Sequence, residues 1–187
     1  MRFGILFLLA MQSFPGNGHV QPTSAYLRLA PSLGPAAAAD VELGHDLALQ
    51  LAASEARPRA SLRGEGGGEG RRLRVVPLSL SLVRRFGDGA RVEPYAGAGL
   101  AFPFVRRSLD VVDASAMHVT RIEQPDHVAL IAQLGARVPL SGRWWAGVDA
   151  KLFPFESTLE THVEGRRGAL QTNFHPLIVA TGVGVRF

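Results

Sequence analysis

Val128-Ala129-Leu130-Ile131-Ala132-Gln133-Leu134-Gly135-Ala136-Arg137-Val138-Pro139-Leu140 has period two. Val128, Leu130, Ala132, Leu134, Ala136, Val138 and Leu140 share one face, and Ala129, Gln133, Gly135 and Arg137 lie on the other. Residues of one parity share a face only in an extended strand. The same alternation recurs elsewhere. Val76, Leu78, Leu80 and Leu82 oppose Pro77, Ser79, Ser81 and Val83. Trp144, Ala146, Val148, Ala150 and Leu152 oppose Gly147, Asp149 and Lys151. At the end of the chain, Leu177, Val179, Thr181, Val183, Val185 and Phe187 oppose Ile178, Ala180, Gly182, Gly184 and Arg186.

An apolar face of this kind also occurs in soluble sandwiches and lipocalin-like barrels, where it points inward. Two features favour the inverted arrangement. The second face is made of Gly, Ala and Ser with isolated charges, which suits a narrow polar barrel interior better than a solvated surface. The segments are also long, many reaching ten residues or more, as a tilted strand needs to cross a bilayer. The reading is all-β: an eight-stranded antiparallel transmembrane barrel with strands at 24–33, 37–44, 47–57, 72–86, 91–105, 127–140, 143–157 and 171–187. His45-Asp46, Gly87-Asp88-Gly89-Ala90 and Ser141-Gly142 make tight turns, while 58–71, 106–126 and 158–170 are long loops, of which 106–126, with weak alternation at Leu109 and Val111, either extends the flanking strands above the membrane or folds as a small cap. That rhythm places short turns and both termini in the periplasm and the long loops outside. The very short connection at 34–36 is the exception. Gly64-Glu65-Gly66-Gly67-Gly68-Glu69-Gly70 reads as a loop tip, since no strand-to-helix switch makes it a phosphate cradle.

The bulk composition agrees. The chain has 187 residues, 47% hydrophobic and 19% charged, with 21 Gly and 12 Pro. It has no apolar run long enough for a membrane helix. The formal charge is +4, and Lys151 is the single lysine. The arginines fall in scattered pairs (Arg71-Arg72, Arg84-Arg85, Arg106-Arg107, Arg166-Arg167) at strand ends and in loops. That distribution argues against nucleic acid and suits anionic lipid head groups. With no cysteine, disulfides and thiolate metal sites are excluded. Arg2 before the apolar run Phe3 to Met11, with Gly16-Asn17-Gly18 ahead of His19, reads as a signal peptide over 1–18, leaving 19–187 as the barrel domain. A buried first strand is the alternative for that run.

Val92-Glu93-Pro94-Tyr95-Ala96-Gly97-Ala98-Gly99-Leu100 resembles a strand of the OmpW family of small outer-membrane proteins. Val76-Pro77-Leu78-Ser79-Leu80 through Arg85-Phe86-Gly87-Asp88 is similar to that family's proline-containing strand and turn. His45 to Ala53 and the ending Asn173-Phe174-His175-Pro176 through Phe187 are similar to two further pieces, in the same order, from about residue 37 onward. The resemblance implies an eight-stranded barrel with a narrow, largely apolar interior that passes small hydrophobic molecules. The Leu and Trp that narrow the family's interior would fall on Ala52 and Lys151, a departure from the pattern.

Parity places Tyr26, Arg28, Glu42, Glu93, Tyr95, Gln133, Arg137, Asp149, Lys151 and Arg186 in the lumen, as a salt-bridged plug or as a polar constriction. Phe86, Phe102, Phe104, Trp144, Phe155 and Phe187 fall near strand ends on the lipid face, as interfacial girdles. Phe187 also resembles the terminal signal read by the barrel-assembly machinery, with 24–33 as the strand that the terminal strand meets. The sequence implies no cofactor and no metal. The expected partners are outer-membrane lipid, the assembly machinery and a small hydrophobic solute. The functional expectation is a passive channel or porter. A non-conducting barrel acting through its loops is the alternative. A lipid-modifying hydrolase built on His118-Val119-Thr120 with Glu123 is weaker still, since Thr suits that nucleophile position poorly and His127 and His162 lack partners at useful spacing.

Overall fold

The structure is a computed structural model that describes residues 3–13, 16–21, 25–44, 46–63, 69–72, 74–87, 91–106, 113–114, 117–123, 128–153, 155–163 and 166–187. Every regular element is a strand. In chain order they are β1 (Phe3–Ser13), β2 (Gly16–Gln21), β3 (Ala25–Leu29), β4 (Ser32–Gly44), β5 (Leu47–Ser54), β6 (Arg59–Arg63), β7 (Glu69–Arg72) and β8 (Arg74–Arg85). They continue as β9 (Glu93–Arg106), β10 (Asp113–Ala114), β11 (Met117–Glu123), β12 (Ala129–Ser141), β13 (Trp144–Leu152), β14 (Phe155–Val163), β15 (Arg166–Phe174) and β16 (Leu177–Arg186). Eight of them close a barrel in the order β1-β16-β13-β12-β9-β8-β5-β4. The other eight form a second sheet, β10-β11-β14-β15-β2-β3-β6-β7, which follows the same order around the loop side.

The register fixes the barrel's shape. Following cross-strand partners from Phe3 through Val41, Leu49, Leu82, Ala98, Ala132, Leu152 and Leu177 returns to β1 at Ser13, ten residues further along. Eight strands with that stagger give a tilt of about 40° and a backbone radius of about 8 Å. Such a cylinder is just wide enough for its own side chains to fill. The faces are inverted relative to a soluble protein. Phe7, Leu130 and Leu134 are 67%, 69% and 66% exposed, whereas Gln133 and Arg137 are 1% and 3% exposed. An apolar belt running round the whole wall belongs in hydrocarbon, not in water.

Seven of the expected membrane strands lie where alternation placed them, with shifted ends. The first does not. Residues 24–33 hold β3 and the start of β4, and the terminal strand meets β1. β1 pairs along its length with β16 on one side and β4 on the other. Its alternation is hidden because both faces are apolar. Phe3, Ile5, Phe7, Leu9 and Met11 point to lipid, while Leu6, Leu8, Ala10 and Gln12 are buried in the lumen. The same run of residues therefore carries the composition of a leader's core. Residues 34–36, expected as a turn, run inside β4. The expected loops carry strand: β6 and β7 lie in 58–71, β11 in 106–126, and β14 and β15 continue the barrel strands outward through 158–170. The glycine-rich tip at 64–68 lies outside the described residues. All three tight turns contain left-handed residues, Gly44 (φ 100°) with Asp46 (φ 64°), Gly87 (φ 78°) and Gly142 (φ 57°), a conformation that glycine adopts without strain and aspartate tolerates. The seam closes at the chain's last residue, where the Phe187 N–H donates to the Phe3 carbonyl at 2.8 Å and the two rings lie 6.2 Å apart.

Candidate functional site

The lumen has two storeys. On the turn side, inward residues of β4, β5, β8, β9, β12, β13 and β16 form a polar layer of paired groups. Asp40 Oδ2 accepts from Arg85 Nη2 and, at 3.2 Å, from Arg137 Nη1. Arg85 Nη1 also donates to Glu42 Oε1 at 2.6 Å. The Tyr95 hydroxyl donates to Asp149 Oδ1 at 2.9 Å, and Gln133 Nε2 donates to that oxygen and to Gln50 Oε1, both at 2.7 Å. Lys151 Nζ lies 3.4 Å from Asp149 Oδ2 and 3.5 Å from Ser79 Oγ. Arg186 and Glu93 form a looser pair at the turn-side mouth, 3.9 Å apart.

Several of these contacts cross the barrel. β12 and β4 are four strands apart by either route, so Arg137–Asp40 spans the full width. Gln133–Gln50 and Lys151–Ser79 each span three strands. The lumenal acids Asp40, Glu42, Glu93 and Asp149 are matched by Arg85, Arg137, Lys151 and Arg186. A buried charge without a partner is costly, and here each has one.

Glycine makes room for the two rings that hold Arg137. Its guanidinium lies 4.2 Å over the Trp145 ring and 5.4 Å from the Tyr95 centroid. Tyr95 rests against Gly135 and Trp145 against Gly184, so closely that a Cβ at either glycine would overlap the ring. Gly135→Ala is therefore expected to push Tyr95 off Asp149 and to cost about 1–3 kcal/mol, as overpacking does, measured by urea unfolding in lipid vesicles. Unchanged stability with an unchanged Tyr95 environment would overturn that packing.

The loop-side storey is apolar. Ala10, Ala36, Ala101, Ala129, Ile131, Phe153, Ile178 and Ala180 cluster there, with the Gln12–Ser54 hydrogen bond (2.9 Å) among them. At its rim, Glu55 binds Arg57 (2.7 Å) and Arg74 (2.9 Å). The hydrogen bond from Arg57, then that from Arg74, hold the Glu55 carboxyl below its ordinary value. A lowered carboxyl pKa means the pairs are present at neutral pH and are lost only as the pH falls through that depressed value.

Of the ten lumenal candidates, Glu42, Glu93, Tyr95, Gln133, Arg137, Asp149, Lys151 and Arg186 are brought together in this network. Arg28 is not among them. It lies on β3 in the loop-side sheet and is exposed, because the strand expected at 24–33 is not a barrel strand. Tyr26 is on β3 as well, and its side chain lies outside the described residues. Asp40, Gln50, Ser79, Arg85 and Trp145 were not expected. Phe86, Phe102, Trp144 and Phe187 are exposed on the outer wall, as Phe3 is. The side chains of Phe104, Phe155, His118, Thr120, Glu123, His127 and His162 lie outside the described residues.

No helix among the described residues is long and apolar enough to cross a membrane; this wall would cross with strands. The OmpW family model matches residues 33–187. The chain belongs to the OmpW family. The OmpW match takes in seven of the eight barrel strands and begins after β1. Solved structures cover β1 too. The outer membrane protein OprG from Pseudomonas aeruginosa is similar over 100% of this chain and 95% of its own, at 13% identity and a TM-score of 0.86. The outer membrane protein AlkL is similar over 100% and 90%, at 17% identity and 0.67. Neisserial surface protein A (NspA) is similar over 99% and 97%, at 13% identity and 0.59. No curated protein matches by sequence. This OmpW-family chain is an outer-membrane protein, and its family and neighbours are barrels of that membrane.

Proposed function

We propose that the chain is a passive porter for small apolar molecules, which enter the loop-side storey and leave sideways into the bilayer. The observation that carries this is the cross-lumen network: an apolar solute has no way through a closed layer of paired charges. The wall offers another exit. The β5–β8 ladder runs to Ala53↔Leu78 and resumes, in the same register, only at the isolated bridge Ala56↔Val75. Between them lie Ser54 and Glu55 opposite Val76 and Pro77, and proline has no N–H to give a ladder. That lapse sits at the rim of the apolar storey, where Glu55 pairs with Arg57 and Arg74.

Uptake of a radiolabelled alkane into vesicles holding the protein, with ion conductance recorded in planar bilayers, tests the reading. Alkane uptake is expected without steady conductance. Pro77→Val, which restores a donor, is expected to slow uptake several-fold while the barrel still forms. Uptake no faster than in empty vesicles would reject the porter. The packed lumen favours a second reading, a non-conducting barrel that acts through its loop-side sheet, and that reading expects no uptake at all.

A further inference from the structure

The single lysine sits at the boundary between the two storeys. Lys151 is 5% exposed, and its ammonium carries three N–H donors. Those donors meet one hydroxyl at 3.5 Å and one carboxylate oxygen at 3.4 Å, both at the long end of useful contact. Asp149 is already engaged elsewhere, since its Oδ1 takes the Tyr95 hydroxyl and the Gln133 amide. Among the described residues, at least one donor of Lys151 therefore has no acceptor. The wall it reaches is small. Ser79 pairs with Ala52 in register, so the wall that the ammonium meets is built of small side chains. On that wall the buried Ser81 Oγ has no hydrogen-bond partner either. On the loop side of Lys151, and on the same face of β13, the next residue is Phe153, which is buried among Ile131, Ile178 and Ala129. Phe153 follows the last residue of β13 and caps the apolar storey.

We propose that Lys151 is a docking point for the anionic head of a small aliphatic carboxylate, whose tail lies in the apolar storey in place of the Phe153 ring. This rests on the porter reading and narrows its solute class. A purely apolar interior would reject a carboxylate, because desolvating the charge costs too much. An ammonium with an open donor, at the floor of an apolar space, removes that objection. A carboxylate there would accept from Lys151, with the Ser81 hydroxyl as a further donor on the facing wall. The geometry also predicts a preference at this nitrogen: decanoate above decanol, whose hydroxyl can accept only an uncharged hydrogen bond, and decanol above decane.

Because the chain has one lysine, 15N-lysine labelling gives a single side-chain signal. The protein in lipid bilayers is titrated with 13C-carboxyl decanoate, with decanol and with decane. The Lys151 Nζ resonance is expected to shift most with decanoate, and with decanoate to show a dipolar contact to the carboxyl carbon. In vesicles, Lys151→Met is expected to lower decanoate uptake about tenfold more than it lowers decane uptake, the equivalent of one charge-assisted hydrogen bond. A Nζ signal unmoved by decanoate, or moved as far by decanol, overturns the proposal. If decane crosses and decanoate never contacts Lys151, this proposal fails and the porter stands. If neither crosses, the porter itself fails.

Discussion

A chain lacking residues 1–13 is expected not to form a barrel. β1 has ten cross-strand partners on β16 and ten on β4, so its removal leaves two long strand edges facing hydrocarbon. Unpaired backbone groups cost several kcal/mol each there, and only a closed barrel avoids them. The seven remaining strands cannot simply meet, because the ten-residue stagger is distributed over eight junctions. The folded form, seen as a band of altered mobility in unheated detergent gels, should disappear, and the truncated chain should not reach the membrane. Intact mass measurement of protein taken from the outer membrane is expected to show Phe3–Ser13 still present. A chain starting after Ser13 that inserts in normal yield would remove β1 from the barrel.

The second large effect is expected at Asp40. This carboxylate lies under two guanidinium groups, those of Arg85 and Arg137, with side-chain exposures of 13% and 3%. Asp40→Ala would leave Arg137 buried against rings with no counter-charge. Breaking a buried pair by removing one partner costs about 3–5 kcal/mol. The loss should appear in urea unfolding from lipid vesicles. Asp40→Ala with Arg137→Met should be less damaging than the sum of the two single changes, because the double variant leaves one fewer stranded charge. Strict additivity would mean that the contact across the lumen contributes nothing.

Much of this was legible in the residues. Parity alone put Gln133, Arg137, Asp149 and Lys151 inside and Leu130 and Leu134 outside, and the structure has them there. The same parity reaches further than it was taken. Asp40 lies two residues from Glu42, Arg85 continues the Ser79–Ser81–Val83 face, and Trp145 precedes Gly147 on the lumen side of β13. Each is a lumenal residue. Arg85 and Trp145 were obscured by being half of a doublet, Arg84-Arg85 and Trp144-Trp145, one of which faces lipid. β1 was not legible for a different reason. Leu6 and Leu8 fill the lumen with the same chemistry that Phe7 and Leu9 offer the bilayer, so no contrast marks the strand. The extensions beyond the membrane were read as loops because polar strands that pair above a bilayer need no apolar face.

The contact between Arg137 and Asp40 joins positions 97 residues apart in the chain. Asp40 also has Arg85, but Arg137 meets its carboxylate only when the early hairpin of β4 and β5 stands opposite the late hairpin of β12 and β13. Before closure, a sheet sliding into lipid would carry the Arg137 charge bare, at a cost of several kcal/mol. The network thus acts as a checkpoint for assembly: only a cylinder with every strand in place can enter the hydrocarbon without exposing a stranded ion.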